Sequence, residues 1–144
     1  MKIQKILVPV DFSESSEHAL DYAVELADKL GASIHVLSVI GIPSYGVPEL
    51  GVGITATMMD NMIADNQAAL DALARPRKLD SKNMIIRAGD ARDVILQTAE
   101  ELGADLIVMG THGRRGISRA LLGSVAEMVV RTAPVPVLTV RGRK

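Results

Sequence analysis

Gly110 and Gly113 are separated by two residues, and nine more separate Gly113 from the pair Gly123-Ser124. Glycines let a backbone turn with several N–H groups aimed into one concavity, and they keep Cβ atoms out of an anion's path. Gly123 and Ser124 lie near a helical start, where unpaired N–H groups and the helix dipole favour phosphate. The serine hydroxyl adds one more donor. From Gly110 onward the chain carries seven basic residues (Arg114, Arg115, Arg119, Arg131, Arg141, Arg143, Lys144) against one acid, Glu127. That local bias suits a polyphosphate. Gly110 and Gly113 alone would serve an ordinary strand-to-helix turn equally well, and the arginines a solvated face. The chemistry therefore rests on the whole spacing.

The elements that must position these residues alternate between strand and helix. Ile6-Leu7-Val8-Pro9-Val10 is a short apolar run, as in a strand buried on both faces. Ser13 is placed to cap a helix in which Leu20, Ala23, Val24, Ala27 and Leu30 recur at helical spacing, with Gly31 as its left-handed stop. Residues 34–40 read as a second strand. Residues 41–53, rich in Gly and Pro and without periodicity, read as a loop. A helix over 54–74 would turn Met59, Met62, Ile63, Leu70 and Leu73 inward. Met84-Ile85-Ile86 is the third strand. Asp90 caps the next helix, with Asp93 near its positive end and Val94, Ile95, Thr98, Ala99 and Leu102 on its apolar face.

Residues 106–109 form the fourth strand. After the glycine segment comes a helix carrying Leu121, Leu122, Val125, Ala126 and Val129. Residues 134–140 close the chain as a strand whose two prolines cannot donate to a ladder, which places it at a sheet edge. The expectation is a single α/β domain over 1–144, an open parallel sheet of five strands with helices on both faces. In such sheets ligands bind beyond the carboxyl ends of the strands, where strand order reverses. That singles out Pro9-Val10-Asp11, the end of the second strand around Val39, and the segment that begins at Met109-Gly110.

Composition narrows the function. The chain has 144 residues and no cysteine, which excludes a disulfide framework and thiolate metal sites and fits a reducing cytoplasm. A net charge of −1 gives no reason to expect nucleic acid or an acidic membrane as partner. Phe12, Tyr22 and Tyr45 are the only aromatics, too few for a base-stacking surface. The N-terminus runs straight into a short strand-like segment rather than a signal-peptide pattern, and no apolar stretch is long enough to span a bilayer.

The glycine spacing resembles the nucleotide-binding signature of the ATP-binding branch of the universal stress protein family. Residues 6–14, 104–113, 121–126 and 134–138 are similar to that family's opening strand and turn, fourth strand and glycine loop, last helix start and closing strand. The resemblance implies a Rossmann-like sheet of order 3-2-1-4-5. It implies that Pro9, Val10 and Asp11 line the adenine and ribose side, with Asp11 bonding the nucleoside, and that Val39 meets the adenine edge through its backbone. Met109, Gly110, Thr111, His112, Gly113, Arg114 and Arg115 would wrap the ribose and phosphates. Gly123, Ser124 and Val125 would hold the phosphates. It further implies a homodimer paired through strand 135–140.

Other motifs carry less. Gly51-Val52-Gly53-Ile54-Thr55-Ala56 matches a dinucleotide fingerprint but follows a loop, whereas that fingerprint needs a strand before it. No P-loop pattern is present. His18, His35 and His112 lack metal-ligand spacing; His18 is expected to face solvent, and His35 alternates with apolar residues. The methionines of the second helix read as core filler. A phosphate-binding segment without a visible base or metal set favours a stress-response or signalling module that binds ATP, AMP or ADP over an enzyme. The alternatives are a slow ATPase or nucleotidyl or phosphoryl transferase, and a nucleotide-free dimeric scaffold. The residues leave open which nucleotide is preferred, whether Mg²⁺ accompanies it, and which protein is the partner.

Overall fold

The computed structural model describes residues 1–41, 55–112 and 122–142. Among them, strands and helices alternate: β1 (Lys5–Val10), α1 (Glu14–Leu30), β2 (Ser33–Gly41), α2 (Ala56–Ala74), β3 (Met84–Gly89), α3 (Ala91–Leu102), β4 (Leu106–Gly110), α4 (Ser124–Thr132) and β5 (Val137–Val140). A 3-10 turn, Ser81–Asn83, leads into β3. The strands make one parallel sheet in the order β3-β2-β1-β4-β5, as the resemblance implied.

Side chains alternate across a strand, so β1 feeds both faces. Ile6, Val8 and Val10 join Ala19, Leu20, Ala23 and Ala27 of α1 and Leu70 of α2 in one core. Leu7 joins Leu37, Ile107 and Met109 of the sheet, Val94, Ile95 and Ala99 of α3, and Ala126 and Val129 of α4 in the other. Helices α1 and α2 thus cover one face and α3 and α4 the other. Ile6, Leu7 and Val8 are fully buried, which explains a run with no polar alternation.

The helix ends follow the sequence signals. Ser13 accepts from Ser16 N–H (3.2 Å) at the start of α1, and Gly31 at its end adopts φ 69°. Thr55 caps α2 by accepting from Met58 N–H (3.1 Å). Asp90 caps α3 by accepting from the N–H groups of Arg92 (3.0 Å) and Asp93 (3.3 Å).

Five expectations need correction. The closing strand pairs only from Val137, so Pro134 and Pro136 precede it; Pro136 still accepts a bond from Ile107 N–H (3.0 Å). The edge position holds, because β5 pairs with β4 alone within the sheet. Ile63 is 42% exposed; only Leu70 and Ala74 of α2 are buried, and Met59 and Met62 are half-buried. Leu30, on the expected stripe of α1, is exposed at the helix end. Leu122 lies before α4 and is exposed. His18 is half-buried rather than solvent-facing, and its Nδ1 is buried with no hydrogen-bond partner among the described residues. The loop expected over 41–53 lies, beyond Gly41, outside the described residues, as does the fingerprint-like Gly51-Val52-Gly53-Ile54.

The opposite end of the sheet from the strand tips is tied by Asp105. Its Oδ2 accepts from the N–H groups of Gln4 (2.9 Å) and Lys5 (3.0 Å), pinning the start of β4 to the start of β1. The two N–H bonds, Gln4 first, and the weaker pull of the Lys5 charge hold its carboxyl below the ordinary aspartate range. A depressed native value stabilises the fold above the unfolded aspartate pKa, and the effect is lost as pH falls through the native value. In urea unfolding, Asp105→Asn is expected to be less stable than the native protein at neutral pH. The gap should close as the pH falls below the native carboxyl value. A gap that stays constant down to that pH would show that the charge plays no part.

Candidate functional site

The chain leaves β1 toward α1 on one face and leaves β4 toward α4 on the other, so strand order reverses between these two neighbours. The crevice at their carboxyl ends is where an open parallel sheet accepts a ligand. Pro9 and Val10 are buried, and Val10 and Met109 belong to the two cores. Their side chains therefore lie below the crevice, and only their backbone is left to face a ligand. Beyond Val10 the chain turns through Phe12, a non-glycine residue at φ 63°, a left-handed conformation that costs about 1–3 kcal/mol. Asp11 holds this turn: its Oδ1 accepts from Ser13 N–H (3.0 Å) and from the Ser13 hydroxyl. The Ser16 hydroxyl in turn accepts from Asp11 N–H (3.3 Å). Asp11 is thus placed at the crevice with its carboxylate engaged in shaping the turn.

At the end of β4, Gly110 has a packing role that its sequence reading as an anion-approach residue missed. A Cβ there would lie 2.9 Å from both the backbone carbonyl carbon and oxygen of Ser15, in the first turn of α1. Only a glycine lets the helix start sit this close to the strand tip. Thr111 follows, 5% exposed, with its backbone bonded on both sides. Its N–H donates to Val140 O (3.2 Å) on β5, and its C=O accepts from Gly123 N–H (2.6 Å). His112 is half-buried; its Nδ1 lies 3.0 Å from Thr111 Oγ1, and its N–H reaches Ser15 Oγ at 3.5 Å.

The Thr111–Gly123 bond places the start of α4 beside the tip of β4. Gly123 is the N-cap, Ser124 opens the helix and is exposed, and Val125 is half-buried against the second core. Unlike Ser13, Thr55 and Asp90, Gly123 brings no side-chain cap to the N–H groups of its helix. Gly113, Arg114 and Arg115 lie outside the described residues.

The third wall is the end of β2. Its last partner on β1 is Ser38, opposite Val10, whereas its pairing with β3 continues through Val39, Ile40 and Gly41. Three residues therefore overhang the end of β1, and among the described residues no strand pairs with the alternate backbone groups on that side. Val39 is the first of them, and its side chain packs on the second core. His35 lies nearer the start of the same strand, away from the crevice. Its Nε2 is 3.3 Å from Ser33 Oγ, and burial, then Lys5, lowers its pKa. Among the described residues no group of three or more His, Asp or Glu could hold a metal ion, and no helix is long and apolar enough to cross a membrane.

The model of the universal stress protein family matches residues 2–141. The chain belongs to this family. A universal stress protein of Methanocaldococcus jannaschii is 32% identical to this one over 147 aligned residues, which cover 98% of this chain and 84% of the relative. A second from that organism, of solved structure, superposes with a TM-score of 0.82 at 27% identity, covering 100% of this chain and 99% of the other. Another universal stress protein, solved in complex with cAMP, superposes with a TM-score of 0.65 at 24% identity, covering 99% of this chain and 100% of the other. At that identity the likeness concerns the fold alone.

In this universal stress protein the sequence pointed to Asp11, Val39, Gly110, Thr111, His112, Gly123, Ser124 and Val125, and the structure sets them at the carboxyl ends of β1, β2 and β4 and at the start of α4. It missed Ser15 and the left-handed Phe12, since a serine in a first helical turn and an aromatic before a cap carry no signal of their own. Gly110→Ala is expected to lower stability by about 1–3 kcal/mol, because α1 must shift to admit the methyl group. Chemical denaturation checks this. A change under about 0.5 kcal/mol, no more than an ordinary surface substitution, would mean that the close approach is not a constraint.

Proposed function

We propose that this universal stress protein binds an adenine nucleotide, ATP or its ADP and AMP relatives, over the carboxyl ends of β1 and β4, and acts as a homodimeric signalling module. The observation that carries the reading is the start of α4. A nine-residue helix opens at the switch point with glycine as its cap, no side-chain cap, and a serine as its first residue. Backbone N–H groups and the helix dipole at such a start favour a phosphate. Gly123, Ser124 and Val125 would hold the phosphates, with Thr111, His112, Gly113, Arg114 and Arg115 around them and the ribose. The overhang at Val39 would offer its backbone to the edge of the adenine, and Asp11 would bond the nucleoside. Pro9, Val10, Met109 and Gly110 form the floor. Another universal stress protein was solved in complex with cAMP, so the family to which this chain belongs includes a nucleotide-bound member, and this supports a nucleotide as the ligand class.

The dimer reading rests on β5. It is an edge strand whose second side meets no strand of its own sheet, and such an edge is a template for a second copy pairing through 135–140. The reading is one of occupancy rather than turnover, and it assigns no catalytic role to Asp11 or His112. The cytoplasm, where adenine nucleotides and reduced surroundings coincide, is the compartment this reading assigns.

Thermal unfolding with ATP at a hundred times its dissociation constant should show about 2.7 kcal/mol of added stability. The combined change Gly123→Val and Ser124→Leu should abolish it, and repeating the titration with EDTA decides whether Mg²⁺ takes part. Mass spectrometry of denatured protein should release an adenine nucleotide. No shift with any adenine nucleotide would leave the glycine segment as a turn and the chain as a scaffold. Sedimentation at micromolar concentration should give a dimer; a monomer would remove the β5 reading.

A further inference from the structure

Ser38 is a polar residue in an apolar layer. It is 2% exposed and stands on the same face of β2 as Ile34, Val36 and Ile40. A buried hydroxyl is costly unless bonded, and here it donates to Asn66 Oδ1 of α2. The orientation of that amide is set by its other end: Asn66 Nδ2 donates to Met62 O (2.9 Å), one turn back along the helix. The oxygen must therefore face Ser38. Asn66 is itself half-buried, so the pair forms a polar pin through the layer between α2 and the sheet. Packing does not require such a pin, because an apolar pair of similar volume would be neutral or stabilising at this depth.

The location of the pin gives it a use. Ser38 is the last residue of β2 with a partner on β1, and the next three residues form the overhang. On the opposite face Val39 is gripped by the second core. The strand is thus held on both faces at the point where its pairing with β1 ends. A strand edge recognises a purine by offering C=O and N–H groups in a set order, and adenine and guanine present opposite donor and acceptor patterns at that edge. Discrimination by such an edge requires that it not slide or tilt to suit the wrong base, since a mispaired polar group is what rejects it.

We propose that the Ser38–Asn66 pair is a specificity-determining pin: it fixes the β2 overhang so that a backbone edge accepts adenine and rejects guanine. Ser38 and Asn66 act here as positioning residues that do not touch the nucleotide. This inference rests on the nucleotide reading above.

The test compares ATP with GTP by isothermal titration on the full chain. Ser38→Ala alone strands the Asn66 oxygen and can cost the fold, so the informative variant is the double change Ser38→Ala with Asn66→Leu, which leaves no buried polar orphan. The preference for ATP over GTP should fall by roughly tenfold in the double variant, the worth of about one hydrogen bond. Ser38→Thr, which keeps the hydroxyl, should retain the native preference. Amide hydrogen exchange at Val39, Ile40 and Gly41 should quicken in the double variant. A native ATP to GTP ratio in a folded double variant would overturn the pin and leave the nucleotide reading intact. No binding of either nucleotide by the native protein would overturn both.

Discussion

Burial of β1 on both faces is the constraint on which the other features depend. Ile6, Leu7 and Val8 are fully buried, and each such side chain contributes about 1.5–3 kcal/mol relative to exposure. A strand that is apolar on both faces has to sit in the middle of the sheet with helices above and below. Once α1 and α2 cover one face and α3 and α4 the other, the chain must leave β1 and β4 in opposite directions. The crevice is what these two departures leave between them. It follows from the burial pattern before any ligand is considered.

What the described residues bring to the crevice is mostly backbone. Gly110 exists to admit the first turn of α1, Phe12 takes a strained turn to start that helix at once, and β2 runs past β1 by three residues. Side chains at the rim serve the backbone: Asp11 shapes the Phe12 turn, and Ser15 meets His112 N–H. A cavity walled by fixed N–H and C=O groups is suited to holding a polar ligand in one orientation.

The fold was legible because burial writes itself into the sequence with a period. The alternation of strand and helix, three of the caps and the strand order implied by the family resemblance agree with the structure. The start of α4 was only partly legible: the glycine-serine pair reads as near a helix start, but Leu121 and Leu122 extend the apolar pattern back past it, and α4 begins at Ser124. The failures fall where local pattern meets tertiary context. Ile63 has the right spacing for an inner face, yet α2 is buried only toward its end, at Leu70 and Ala74. Pro134 and Pro136 were read as lying within a strand, but pairing begins one residue after the second of them. Ser38 and Asn66 are separated by 28 residues, and no local signal joins a serine in a strand to an asparagine in a helix.

The position of the α4 start raises a question of what holds it there. Thr111 and Gly123 close the segment 112–122, and closing a loop of that length costs about 2 kcal/mol beyond a constant term. The single bond from Gly123 N–H to Thr111 O contributes only about 0.5–1.5 kcal/mol net, so it does not hold the ends together unaided. The remainder comes from Ala126 and Val129, both buried in the second core, and from the bond between Thr111 N–H and β5. The helix start is therefore positioned by its own apolar face within its first turn and a half, and the backbone bond sets its direction. This explains how a glycine cap, the residue least able to fix its own conformation, can stand at the place where geometry matters most.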